Sequence, residues 1–230
     1  LGGSVSGSSG NVTFSGNGHI GPDWIPESWT MSADGDISDL AFLREFSAVE
    51  NTGISSAHFS LSGTGTEFGL NISGSAGAGG LDFQGVSADR VSFDGSLNYS
   101  SRSGYGGVNS GMSVDGSVKV LGFSTGGIYA DTTSVEGTFG MSRSGMTADA
   151  SLQIDSLRMI SDVFHTCADI ELDGENINIS GLTLTGSEDR SYSAEIEIGM
   201  RDTLFFAAND ISVSHSKLRV VTEGGFYVYT

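Results

Sequence analysis

Alternation is the most persistent pattern along the chain. Apolar residues stand two apart in Leu97/Tyr99, Val118/Val120, Phe139/Met141, Leu157/Met159 and Ile177/Ile179. This is the strand period, with one face apolar and the other carrying Ser, Asn, Lys or Arg toward water. It continues upstream in Phe59–Leu61 and Leu70–Ile72, and downstream in Leu182–Leu184, Ile196–Ile198, Leu218–Val220 and Phe226–Tyr229. The chain is therefore expected to be all-β, with about fifteen short strands. Ser38–Phe46 is the best helix candidate: Ser38 would cap it, and Leu40, Leu43 and Phe46 fall near one face. At most one or two short helices are expected.

The alternating segments also repeat. Ser92–Tyr99, Ser113–Val120 and Ser134–Met141 share the order Ser, apolar, acid, Gly, Ser/Thr, apolar, any, apolar, at a spacing of 21 residues. Looser copies follow at Ile154–Met159 and Leu172–Ile179. A second element, Gly85–Asp89, Gly127–Asp131 and Gly145–Asp149, sits between the copies, so each repeat reads as two short segments separated by Gly. The acid-Gly pair reads as the turn before each strand, because Gly adopts positive φ freely and Asp bonds to nearby backbone. A fixed period of this size favours a β-solenoid or stacked β-arches, each repeat of about 20 residues adding one rung. The alternative is an antiparallel β-sandwich or barrel, in which each repeat is a hairpin. A stack exposes unpaired backbone groups along its end rungs, which can template another chain.

Residues 1–35 depart from the repeat. They hold both tryptophans, Trp24 and Trp29, and both prolines, Pro22 and Pro26. They read as an N-terminal arm or cap on a single repetitive β domain, 36–230. Two exposed Trp on such an arm would be strong docking residues.

Composition narrows the classes. Ten basic against 28 acidic residues give a net charge of −18, which argues against nucleic acid and anionic membranes as partners. No stretch has the roughly 18 apolar residues of a membrane-spanning helix. Gly/Ser-rich, acidic, Lys-poor composition suggests an extracellular or cell-surface protein whose signal peptide has been removed. The sequons at Asn11, Asn71, Asn98 and Asn178 fit that setting and make glycans possible partners.

Candidate chemistry is sparse. His19, His58, His165 and His215 lie in no catalytic motif, so no enzyme is expected. A β-helix polysaccharide lyase would need more basic residues than this chain has. A lipid-conducting β-groove would need an inner face apolar throughout, and the density of Gly and Ser argues against one. Calcium is the better ligand candidate. Asp34, Asp36, Asp39 and Glu45 have part of the spacing of an EF-like loop, with Asp39 where that loop needs Gly. The repeated acids Asp94, Asp115 and Glu136 would form a like-charge ladder inviting a cation. Cys167, the single cysteine, reads either as an intermolecular disulfide or as a buried, inert thiol, and the second is favoured.

The acidic repeats, the Trp- and Pro-bearing arm and the scarcity of Lys resemble the tubular sheath and surface-filament proteins of methanogenic archaea. The resemblance covers roughly residues 50–230. It implies a self-assembling extracellular tube or layer and carries no site residue. The expected function is a structural homopolymer joined through β-edges, with Trp24, Trp29 and Phe226, Tyr227, Val228 and Tyr229 as assembly residues. The alternative is a monomeric adhesin-type module binding carbohydrate or a cell surface.

Overall fold

A computed structural model of the chain describes all residues except 1, 8, 23–25, 40–51, 102–109, 144, 160–161, 188–189, 201–203, 216–217, 222–225 and 230. The described residues form β1 (Gly2–Gly7), β2 (Gly10–Ile20), β3 (Pro26–Ile37), β4 (Thr52–Gly53), β5 (Ser56–Thr66), β6 (Gly69–Phe83), β7 (Val86–Ser100) and β8 (Gly111–Thr125). They continue with β9 (Ile128–Ser142), β10 (Gly145–Met159), β11 (Asp162–Asp173), β12 (Asn176–Gly186), β13 (Ser191–Met200), β14 (Leu204–His215), β15 (Leu218–Val221) and β16 (Phe226–Tyr229). No helix occurs among the described residues. The helix expected over Ser38–Phe46 lies outside them beyond Asp39.

All sixteen strands belong to one open antiparallel sheet. Chain order is sheet order, apart from β4 beside β6 and β16 beside β14. Among the described residues, strands contact only the strands they pair with, so no second layer covers the sheet and it does not close. The chain is all-β as its periodicity predicts. Its antiparallel hairpins belong to the alternative expectation, and its open, side-by-side growth to the first.

Each 21-residue step advances the sheet by one strand. Gly74, Gly95, Gly116 and Gly137 are cross-strand partners in one line over β6–β9. This corrects the turn assignment, since Asp94-Gly95, Asp115-Gly116 and Glu136-Gly137 lie in mid-strand. The hairpin turns fall instead in the second element, at Gln84-Gly85 and Gly126-Gly127, all with positive φ. Asp173-Gly174 does make a turn, between β11 and β12. The two short segments of each repeat are thus one strand of 15 residues.

The mid-strand glycines are there for space. A Cβ on Gly95 would run into the Asp115 carbonyl oxygen, and one on Gly116 into that of Asp94. The ring of Phe93 lies against both positions. The motif is also self-complementary in antiparallel pairing. With Gly opposite Gly, Asp94 faces Ser117, Asp115 faces Ser96 and Thr138, and Glu136 faces Ser117. Each acid therefore opposes a hydroxyl, and the destabilisation of like charges directly opposite is avoided.

The alternation sorts side chains onto two faces. Because directly paired residues share a face, Val91, Phe93, Leu97 and Tyr99 of β7 lie with Val120, Val118, Val114 and Met112 of β8. Thr133, Val135, Phe139 and Met141 of β9 follow, then Ile154, Leu152, Ala148 and Met146 of β10. The opposite face holds Ser92, Asp94, Ser96, Asn98, Ser113, Asp115, Ser117 and Lys119. On β7–β9 the serines fall on the polar face, whereas Gly95, Gly116 and Gly137 fall on the centre line of the apolar one. High Gly and Ser content therefore coexists with a largely apolar face.

Residues 1–35 are not set apart from the sheet. β1, β2 and most of β3 are its first strands, and position 35 falls inside β3, where Gly35 pairs with Phe59. The alternation continues there, with Val12, Phe14, Trp29, Met31 and Ala33 on the apolar side.

With one layer there is little core. The buried apolar residues are Ala88, Ala130, Phe164, Ala168, Ala207 and Ala208. The accessible surface is 14585 Å², whereas a compact monomer of this mass exposes about 9,900 Å². Backbone ladders between neighbouring strands hold the sheet, and its apolar face is only half-buried.

Gly116→Ala is expected to destabilise the protein by about 3 kcal/mol, because neighbouring backbone must shift. Gly7→Ala, where a Cβ meets nothing within 4 Å, should change stability by less than about 0.5 kcal/mol. Denaturant midpoints of the two variants measure the difference.

Candidate functional site

The feature that sets this molecule apart is the uncovered apolar face. It extends from β2 to β13; its central positions, such as Leu97, Val114, Phe139 and Leu152, are uncharged, and Asp89 and Asp131 interrupt the alternation toward one end. On β8 it runs from Met112 to Val120, a length of about 27 Å at the rise of an extended strand. Several of its members are well exposed: Phe14 46 %, Met141 47 % and Met146 43 %. In β11 it is more enclosed. Phe164, Thr166 and Ala168 are buried, and Phe164 meets Tyr192 edge-to-face at 5.9 Å. The Thr166 hydroxyl has no hydrogen-bond partner.

Two hollows open at the end of the sheet where β5 turns into β6 and β9 into β10. One, of about 700 Å³, includes Trp29, Gly65, Leu70 and Tyr99. The other, of about 400 Å³, includes Tyr99, Met112, Met141 and Arg143. Trp29 is half-buried, with its indole lying where a Cβ on Gly65 would sit. The small residue opposite therefore seats the large ring. Trp24 lies outside the described residues. The backbone of Phe226, Tyr227, Val228 and Tyr229 pairs with Ala208, Ala207, Phe206 and Phe205 of β14. That leaves one side of β16 for any further strand.

The metal candidates do not converge. Asp34 and Asp36 lie in the extended β3, not in a loop, and Asp34 Oδ1 accepts a hydrogen bond from Ser60 Oγ at 2.6 Å. Asp39 follows the strand, and Glu45 lies outside the described residues. Asp94, Asp115 and Glu136 line one shallow depression over the glycine row on the polar face. The antiparallel register staggers them, so they are not the directly stacked ladder expected from the repeat. No group of three or more His, Cys, Asp or Glu able to hold a metal occurs among the described residues.

The remaining polar candidates lie on the polar face. Asn11, Asn71, Asn98 and Asn178 are all exposed. Asn71 and Asn98 are cross-strand partners, and the Asn71 amide donates to Asn98 Oδ1. Cys167 is exposed, against the expectation of a buried thiol, because alternation buries its neighbours Thr166 and Ala168 instead. Its Sγ lies 3.0 Å from Thr183 Oγ1. His165 Nδ1 pairs with Asp155 at 2.8 Å, and His19 with Glu27 at 3.4 Å.

Sequence reasoning missed a crease across the sheet. Gly80 of β6, Gly122 of β8 and Ser156 of β10 have left-handed backbone, aligned with Asp89 of β7 and Asp131 of β9. Beyond this line the apolar positions shift by one, to Val86/Ala88 and Ile128/Ala130. The recurring Ala-Asp of the second element, Ala88-Asp89 and Ala130-Asp131, was the available signal. Here Arg158 lies over the Tyr129 ring at 5.2 Å and reaches Asp131 at 3.7 Å. The Tyr129 phenol is raised above its usual 10.0, chiefly by its hydrogen bond to Asp131. The cluster is open to water and has no nucleophile–base arrangement, so it reads as surface structure.

No protein-family model, curated protein or solved structure matches the chain.

Because the folded phenol titrates above its unfolded value, the Tyr129–Asp131 bond favours folding below pH 10 and ceases to do so as pH rises through the folded value. Asp131→Asn is expected to return the Tyr129 midpoint toward 10.0, as read from phenolate absorbance.

Proposed function

We propose that the protein is a carrier surface for the hydrocarbon chains of amphiphiles. Its open sheet shelters them on the apolar face and keeps the Ser-, Asn- and acid-rich face in water. One observation carries this reading: side chains are partitioned by polarity over eleven neighbouring strands, β2, β3 and β5 to β13, and among the described residues no second layer lies over the apolar side. A soluble protein rarely leaves an apolar patch of more than a few hundred Å² without a use for it. Each methylene moved from water onto such a face contributes up to about 0.8 kcal/mol, so a long chain binds through summed burial without any specific polar site. No catalytic step is assigned to the protein. An extracellular or cell-surface setting belongs to the same proposal, supported by the composition and by four sequon asparagines on the water-facing side.

A second reading, a structural homopolymer joined through β-edges, is favoured by a different observation. Among the described residues β1 is paired on one side only, and β15 and β16 form the opposite edge. Strand addition there would continue the sheet and its apolar face together. The two readings are separable. Val5→Pro on the edge strand β1 should suppress filaments seen by electron microscopy if edges join the copies, and should leave amphiphile binding intact.

Protein purified without detergent is expected to yield bound long-chain amphiphiles on solvent extraction and mass spectrometry. Val114→Asp with Val135→Asp should reduce the recovered amount at least about fivefold, since each puts a charge into the apolar field. Absence of bound amphiphile, together with no uptake of added oleate, would remove the carrier reading.

A further inference from the structure

We propose that the Tyr99, Met112, Met141 and Met146 end of the apolar face holds a long-chain amphiphile whose anionic head lies on Arg143. This rests on the carrier reading and specifies where, and with what head group, the ligand sits.

Three features converge on this end. Tyr99, Met112, Met141 and Met146 are successive cross-strand partners on β7, β8, β9 and β10, so they form one transverse row. Methionine is flexible and polarisable, which suits a surface that must conform to chains of varying shape. The row borders a hollow of about 400 Å³, within the range that binds small apolar ligands.

Charge decides the head group. The protein has 28 acidic and only ten basic residues, so a cation beside an apolar strip stands out. Arg158 and Arg190 are committed to Asp131 and Asp162. Arg143 lies in the turn after β9, is exposed and lines the same hollow as Met141. It has no carboxylate within 4.0 Å among the described residues. A guanidinium there matches a carboxylate or phosphate head through paired N–H donors, while the −18 protein repels the same anion elsewhere. The chain would lie over the methionines with its head at the rim, in water.

The test is displacement of the neutral dye Nile red by oleate and by oleyl alcohol, both below their aggregation concentrations. The two share a chain and differ only in the charge of the head. Wild type should release the dye at about tenfold lower oleate than alcohol, the size expected of one charge-assisted contact. Arg143→Gln should bring oleate to the level of the alcohol and leave the alcohol unchanged, while Arg143→Lys keeps part of the preference. Met141→Asp with Met146→Asp should weaken both ligands, with circular dichroism unchanged. Equal displacement by the two ligands in wild type, or a preference that survives Arg143→Gln, overturns the head-group assignment and leaves the carrier reading standing. Strong binding that survives the methionine pair overturns the placement of the chain. No displacement by either ligand overturns the carrier reading itself.

Discussion

The structure depends on one constraint: a single β-sheet whose side chains alternate in polarity has an apolar face, and none of the described residues forms a layer over it. In most domains a second layer meets that face and becomes the core. Here successive hairpins add strands sideways, and neighbouring backbone hydrogen bonds supply the order. The result is a sheet with a very small core and an accessible surface about half again that of a compact protein of its mass. In the proposed function it is this apolar side that a ligand, or another copy, would cover.

The repeat solves two problems within this constraint. Four glycines in line across β6–β9 admit the close approach of neighbouring backbone, where any Cβ would collide. Around each, an acid and a hydroxyl residue are arranged so that antiparallel pairing sets acid against hydroxyl. A 21-residue spacing keeps this register through a two-residue turn and through a longer connection alike. The acidic, serine-rich side then carries much of a net charge of −18, which repels other copies.

Much of this was legible from the residues. Alternation in Leu97/Tyr99 or Val118/Val120 locates strands and faces, and the spacing locates a sideways-growing repeat. What misled was the acid-Gly pair, whose chemistry is that of a turn. Only the partner strand decides that Asp115-Gly116 sits in mid-sheet while Asp173-Gly174 turns, and the partner is not a local property. Composition was silent on the faces for a similar reason. A count of Gly and Ser does not say on which face each falls. Cys167 was misplaced by one residue of phase, since its buried neighbours made the whole segment look like core. The Met112, Met141 and Met146 row was invisible because it joins three strands through register.

The most direct test of the open amphipathic sheet is a cysteine scan of β8 in a Cys167→Ser background, with spin labels at Val114, Asp115, Val118 and Lys119. Accessibility to a water-soluble relaxation agent would be compared with and without oleate. The account predicts that oleate shields positions 114 and 118 and leaves 115 and 119 unchanged, a period of two. Equal shielding of all four, or shielding of the 115 and 119 labels instead, would contradict it.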